Sequence, residues 1–164
     1  MPHLAGPTTQ VRDSFLEAMR DLRADGWLPG FPVEAAAADF GAYVGQVRSE
    51  TRCWGVPIST LWYTDGDTYL GTVLVRHRLT PELGRRGGHI GYHVAPRYRR
   101  RGHATAMLAA GLAYCRDSLG LARVLITCAE SNTGSRRVIA ANGGALEGIL
   151  DGECRYWAGP PPAP

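Results

Sequence analysis

The stretch His89–Ala104, HIGYHVAPRYRRRGHA, decides how the chain is read. An extended segment, Gly88-His89-Ile90-Gly91-Tyr92-His93-Val94, runs into a proline turn at Ala95-Pro96. Arg99, Arg100, Arg101 and Gly102 then open a helical pattern, which continues through His103, Ala104, Thr105, Met107, Leu108, Leu112 and Tyr114. A strand that feeds a glycine-containing, arginine-rich helix start is an anion cradle. The first N–H groups of a helix point outward without partners, and the helix dipole adds positive potential there. Gly102 lets the backbone come close to a phosphate, and small Ala104 keeps the next turn clear.

Composition narrows the anion. The chain contains no lysine, so every one of its 18 basic residues is arginine. A P-loop needs GxxxxGK(S/T) and a Schiff base needs a lysine amine, so both are excluded. The dinucleotide fingerprint GxGxxG is also missing. A nucleic-acid surface would spread its basic residues over a face and interleave aromatics. Here only Tyr98 interrupts the cluster, and the formal net charge is +3. No nucleic-acid partner is expected.

What remains is R-x-x-G-x-A at Arg99, Gly102 and Ala104. This resembles the pyrophosphate-binding signature of the GNAT superfamily of acyl-CoA N-acyltransferases, (Q/R)-x-x-G-x-(G/A). The surroundings extend the likeness. The preceding strand ends in Val94-Ala95-Pro96, as the family's fourth strand commonly does. A second apolar strand, Val124–Ala129, follows about one helix later. Asn132, Ser135, Val138, Ile139 and Gly143 then match the family's block N-x-x-(A/S)-x-x-(V/L)-(Y/I)-x-x-x-G. The likeness is detailed over residues 88–150 and thin before residue 60.

The resemblance implies an α/β (α+β) GNAT fold, a mixed and mostly antiparallel sheet of about six to seven strands with helices on both faces. It implies an N-acetyltransferase that takes its acetyl group from acetyl-CoA by direct attack of a substrate amine, without a metal. The rival within the same fold is a non-catalytic acyl-CoA-binding sensor or scaffold. The acceptor is a small-molecule or peptide amine, and a homodimer fits the family.

Length and composition agree with one domain over residues 1–158, followed by an extended tail, Gly159-Pro160-Pro161-Pro162-Ala163-Pro164. No run approaches the ~20 apolar residues of a membrane span, so no membrane partner is expected. The N-terminus shows neither a basic n-region nor an apolar h-region, which predicts a cytoplasmic protein. Cys53, Cys115, Cys128 and Cys154 lie among apolar neighbours without CxxC spacing and read as small core residues.

The pattern predicts a helix over 8–25, capped by Thr8 or Thr9 and ended by Gly26. A second helix is expected from Val33 to about Val47. Strands are expected over 59–64 and 68–76 around the turn Asp65-Gly66-Asp67, with a loop over 80–88. Helix 102–117, strand 123–129, helix 133–142 and strands near 145–150 and 153–158 complete the order.

The resemblance also distributes roles. Backbone N–H groups of Arg100, Arg101, Gly102, His103, Ala104 and Thr105 face the pyrophosphate, helped by the charge of Arg99 and its neighbours. Tyr92, His93 and Val94 end the strand beside the pantetheine arm, which pairs with exposed backbone as an added strand would. A backbone N–H near Val94 is the family's usual oxyanion donor. Asn132 is either a pantetheine contact or the N-cap of the next helix, and both can hold. Ser135 is a cofactor contact or a first-turn residue.

Two positions depart from the family. Ile139 stands where many members carry a tyrosine that protonates the departing thiolate, which leaves Tyr92 and Tyr156 as candidates. Gly88 and Ile90 stand where a strand glutamate often serves as base. His89 and His93, on that strand, suit proton transfer near neutral pH, and alternation puts them on one face. Glu130, just past the next strand, is the other candidate base. Trp27, Phe31, Tyr43, Trp54, Trp62, Asp151, Glu153, Tyr156 and Trp157 fall where the family builds its acceptor cleft, and aromatics beside carboxylates would suit a cationic amine.

Overall fold

The computed structural model describes residues 1–164. Its centre is the hairpin of β3 (Val56–Asp65) and β4 (Thr68–Arg76), rich in β-branched and aromatic residues. β5 (Ile90–Val94) pairs antiparallel with β4 in an unbroken register, from Val75 opposite Ile90 to Gly71 opposite Val94. β1 (His3–Ala5) and β2 (Arg52–Cys53) add to β3, giving a five-stranded sheet. β6 (Val124–Ala129), β8 (Glu153–Ala158) and β7 (Ala145–Leu150) form a separate three-stranded sheet. Every pairing in both sheets is antiparallel.

Helices cover both faces. α1 (Arg12–Ala24), α2 (Val33–Ala38) and α3 (Phe40–Ser49) bury Phe15, Met19, Leu22, Val33 and Phe40 against Trp62 and Tyr69. α5 (His103–Leu119) and α6 (Thr133–Ala141) bury Met107, Leu108 and Ile139 against Tyr63, Val73, Val75, Ile90 and Ile126. Fully burying one such side chain stabilises by roughly 1.5–3 kcal/mol, so the helices are held mainly by these faces.

Three expectations change. The helix expected over 33–47 is two helices, because the Asp39 side chain accepts the Ala42 N–H at 2.9 Å and caps a new start. The expected loop 80–88 contains a short helix, α4 (Pro81–Arg85), with Thr80 capping Leu83 N–H and Pro81 in the first turn. Strands number eight, because His3–Ala5 and Arg52–Cys53 pair with β3. All four cysteines are free, and three are buried. No helix is long and apolar enough to cross a membrane.

Candidate active site

The two sheets meet where β5 lies beside β6, and the two strands share no ladder. Their junction is held by a reciprocal contact between His89 and Leu125, with the Gly87 N–H donating to Thr127 Oγ1 at 2.9 Å beside it. His89 N–H donates to the Leu125 carbonyl at 2.8 Å, and Leu125 N–H donates to His89 Nδ1 at 2.9 Å. Gly88 makes this approach feasible: it takes φ +62°, and a Cβ there would stand 2.5 Å from the Leu125 oxygen. His89 is therefore buried with Nδ1 occupied, and burial, with Arg76 second, lowers its pKa. The structure does not place it as an open base.

Beyond that junction β5 presents a free edge. Arg76 N–H donates to the His89 oxygen and Ala95 N–H to the Leu70 oxygen, bracketing the β4–β5 ladder. Backbone direction alternates along a strand, so the N–H groups of Tyr92 and Val94 point away from β4, toward the gap. Arg99 Nε donates to the Val94 carbonyl at 3.3 Å.

Side chains of β5 divide the gap into two sides. On the α5–α6 side, the Tyr92 hydroxyl lies 2.6 Å from Ser135 Oγ. Burial raises the Tyr92 pKa, with the Ser135 hydrogen bond opposing. On the α1–α3 side, His93 Nε2 lies 2.9 Å from the Tyr69 hydroxyl, which in turn lies 2.6 Å from Thr72 Oγ1. The Trp27 ring, 54% exposed, stands 5.3 Å from the imidazole. Burial, followed by the charge of Arg99, pushes the His93 pKa down to about 4. His93 is neutral at physiological pH.

The edge leads to the start of α5. Gly102 precedes the helix at φ +83°, and an added Cβ would meet nothing within 4 Å. No side chain caps this end. The N–H groups of His103, Ala104 and Thr105 belong to the first turn, which has no intrahelical acceptors. Arg100, itself at φ +63°, Arg101 and Gly102 are exposed. Arg101 lies over the Tyr98 ring at 5.6 Å, and His103 packs near Tyr63 and Tyr98. This open, positively charged helix start fits a pyrophosphate.

Arg99 behaves differently from its neighbours. Besides Val94 it holds Asp25 Oδ2, at 3.0 Å from Nη1, and so ties the cradle to the loop that carries Trp27. Arg97 holds the body of α1 instead, with Asp21 at 2.8 Å and with Glu17. The Asn132 side chain accepts the Ser135 N–H at 3.1 Å, which makes it the N-cap of α6. Glu130 is exposed at the end of β6, its N–H bonded to the Gly152 oxygen. Ile139 is fully buried, and the Tyr156 hydroxyl accepts Arg136 Nε at 3.1 Å. Sequence reasoning missed the Tyr69 and Thr72 hydroxyls behind His93: strict alternation along β4 puts residues three apart on opposite faces, and the register shift between Tyr63 and Thr64 brings the two together.

Comparison with known proteins agrees with this architecture. The family model described as "Acetyltransferase (GNAT) domain" matches residues 7–145. No curated protein sequence matches the chain. Among solved structures, Mycobacterium smegmatis RimJ in complex with CoA-disulfide is 25% identical, with a TM-score of 0.65 over 94% of this chain and 79% of that one. The microcin C7 self-immunity acetyltransferase MccE, in complex with acetyl-CoA and AMP, is 15% identical, with a TM-score of 0.65 over 95% and 91%. Campylobacter jejuni N-acetyltransferase PseH, in complex with acetyl coenzyme A, is 8% identical, with a TM-score of 0.61 over 97% and 99%. The match over most of its length, on a sheet that opens toward an unobstructed helix start, means that the chain belongs to the GNAT acetyltransferases, enzymes that take their acetyl group from acetyl-CoA.

Proposed function

We propose that the chain acetylates a primary amine, with the donor along the free edge of β5 and the acceptor on the His93 side. One observation carries the reading. The unpaired edge at Tyr92 and Val94 is continuous with the unobstructed N-terminus of α5. A thioester arm lying on the edge would place its pyrophosphate at Gly102–Thr105.

Acetyl-CoA supplies the activated acetyl group: the amine nitrogen bonds to the carbonyl carbon and sheds a proton to solvent, the C–S bond breaks, and the thiolate gains a proton. The chain's residues divide the remaining work. Val94 N–H faces the position where negative charge develops on the carbonyl oxygen. The Tyr92–Ser135 hydroxyl pair stands on the thiolate side and takes the role that Ile139 cannot fill. His93, kept neutral, accepts a hydrogen bond from the incoming amine, with Tyr69 and Thr72 fixing its ring. His89 acts through position, holding the closed end of the gap.

The first experiment is isothermal titration with acetyl-CoA, with NADH and ATP as controls, followed by an amine screen that reads thiol release. One-to-one binding of acetyl-CoA with turnover supports the enzyme. Tight binding without turnover over a broad panel would make the chain an acyl-CoA sensor, and absence of binding would overturn the cradle.

A further inference from the structure

The sheet face that carries His93 continues beyond the roof of α1–α3. Paired residues share a face, which gives three rows: Trp62–Thr72–His93, Thr60–Leu74–Gly91, and Ile58 with Arg76. Phe15 stacks on Trp62 at 4.5 Å and roofs the first row. Leu83 of α4 packs with Val56 and Ile58 and flanks the third. Between them Gly91 leaves floor without a side chain. The Arg76 guanidinium leans over it, with Nη1 and Nη2 each 3.7 Å from where a Gly91 Cβ would stand.

Arg76 is half-buried and electrostatically incomplete. Nη1 donates to the Gly87 and Gly88 oxygens at 2.9 and 3.3 Å, while Nε is buried without a partner. Burial lowers its pKa. The carboxylates that sequence reasoning offered to a cationic acceptor are taken: Asp151 pairs with Arg85 at 3.2 Å and Glu153 with Arg86 at 3.4 Å. Arg76 also lines a cavity of about 510 Å³ with Trp54, Thr80, Glu82 and Arg86. Trp54 is 55% exposed and lies 4.7 Å from the guanidinium. Arg52 and Arg78 both donate to the Gly55 oxygen and add positive charge around that turn.

We propose that the acceptor carries an anionic group, carboxylate or phosphate, which seats on Arg76 in the Trp54 cavity while its amine stands at His93. The inference rests on the acceptor side assigned above. Gly91 and His93 are two residues apart, so the amine and the anion would be separated by on the order of 7–10 Å. An oxyanion there would bond Nη2, which has no protein partner, while the sealed Nε stays out of its reach; a half-buried guanidinium is a place where such charge-assisted bonds are strong.

The test measures kcat/KM by thiol release for 6-aminohexanoate, 4-aminobutylphosphonate and hexylamine, with saturation-transfer NMR of the same three compounds against the protein–CoA complex. Expected is a preference of tenfold or more for the anionic amines over hexylamine. The better of the two identifies carboxylate or phosphate as the cognate group. Arg76→Met should cost the anionic amines at least tenfold more than it costs hexylamine, through KM. Because Arg76 also holds the Gly87–Gly88 turn, exposed Arg86→Glu is the second variant, with the same selective loss expected. Equal treatment of the three amines by the wild type, or equal loss in both variants, overturns the proposal. Acetyl-CoA titration separates the readings: if acetyl-CoA fails to bind, the acetyltransferase assignment of the site fails. If it binds while the NMR shows no preference for the anionic probes, the anion site alone fails.

Discussion

The imidazole of His89 stands in for a backbone carbonyl: its Nδ1 accepts the Leu125 N–H at 2.9 Å, while the His89 backbone N–H donates to the Leu125 oxygen at 2.8 Å. The exchange joins two sheets that share no ladder, at the closed end of the gap where the donor would lie. Removing the ring leaves a buried N–H without an acceptor, which costs about 1–3 kcal/mol before lost packing is counted. His89→Ala should therefore lose about 2–4 kcal/mol in urea unfolding and raise KM for acetyl-CoA. His89→Asn can return an amide oxygen near the place of Nδ1 and should recover at least half of that loss. Equal loss in the two variants would refute the carbonyl-mimic role.

The Tyr92–Ser135 pair sits 2.6 Å apart on the α6 side of the gap. If it protonates the thiolate, Tyr92→Phe should lower kcat by about 10²-fold, the lower end for a lost proton donor, and leave KM for acetyl-CoA within a factor of about three. The two hydroxyls act as a unit, so the double variant with Ser135→Ala should be hardly worse than either single variant. Multiplicative losses would mean that the residues act separately.

Why the open helix start was legible in the sequence while this pair was not follows from distance along the chain. Gly102 and the first turn of α5 are local: a glycine just before an apolar helical pattern marks the helix start, and the structure begins α5 at His103 with no side-chain cap. Tyr92 and Ser135 are 43 residues apart and meet only because β5 and α6 flank the same gap. The β7–β8 hairpin, expected near 145–150 and 153–158, lies there because a tight turn such as Asp151-Gly152, both at positive φ, joins neighbouring segments. His3–Ala5 has no such signal; it is a strand only because Trp62–Thr64 pairs with it. The two histidines were expected on one face, yet Gly88 at φ +62° turns His89 into β6 while His93 meets Tyr69. Asp39 could be read as an N-cap, but four preceding alanines favoured one continuous helix.

Gly102 offers a sharper test of the cradle. Its φ of +83° costs a side chain about 1 kcal/mol, and Asp tolerates that region better than most residues. An added Cβ meets no neighbour, so Gly102→Asp should fold with an unfolding free energy within about 1–2 kcal/mol of wild type. It would nevertheless set a negative charge in the proposed pyrophosphate cradle, and calorimetry should detect no acetyl-CoA binding. Normal binding by the folded variant would remove the anion site from α5.

Arg99 links the free edge of β5 to the end of α1 by bonding both the Val94 carbonyl and Asp25. Asp25→Asn should free the Trp27 loop and raise the acceptor KM several-fold, with acetyl-CoA affinity unchanged. Arg99→Met releases Val94 as well and should weaken both substrates. Identical effects of the two substitutions on acetyl-CoA affinity would show that the Val94 contact contributes nothing.

The depressed pKa of His93 gives a pH dependence whose sign can be worked out. Above pH 6.5 neither the folded nor the unfolded imidazole binds a proton. Between pH 6.5 and about 4 the unfolded chain takes one up while the folded protein does not, so stability falls with falling pH. Below about 4 both are protonated, and this contribution is gone. The span corresponds to at most about 3 kcal/mol, and His89, shifted in the same direction, adds to the slope. Surface pairs such as Arg23–Glu34 titrate equally in wild type and variant, so His93→Gln isolates the effect. Urea unfolding at pH 7.5 and 4.5 should show a smaller loss for His93→Gln than for wild type. Equal losses would mean that the His93 imidazole is hydrated and titrates near its ordinary value, which would also remove the neutral hydrogen-bond acceptor from the amine side.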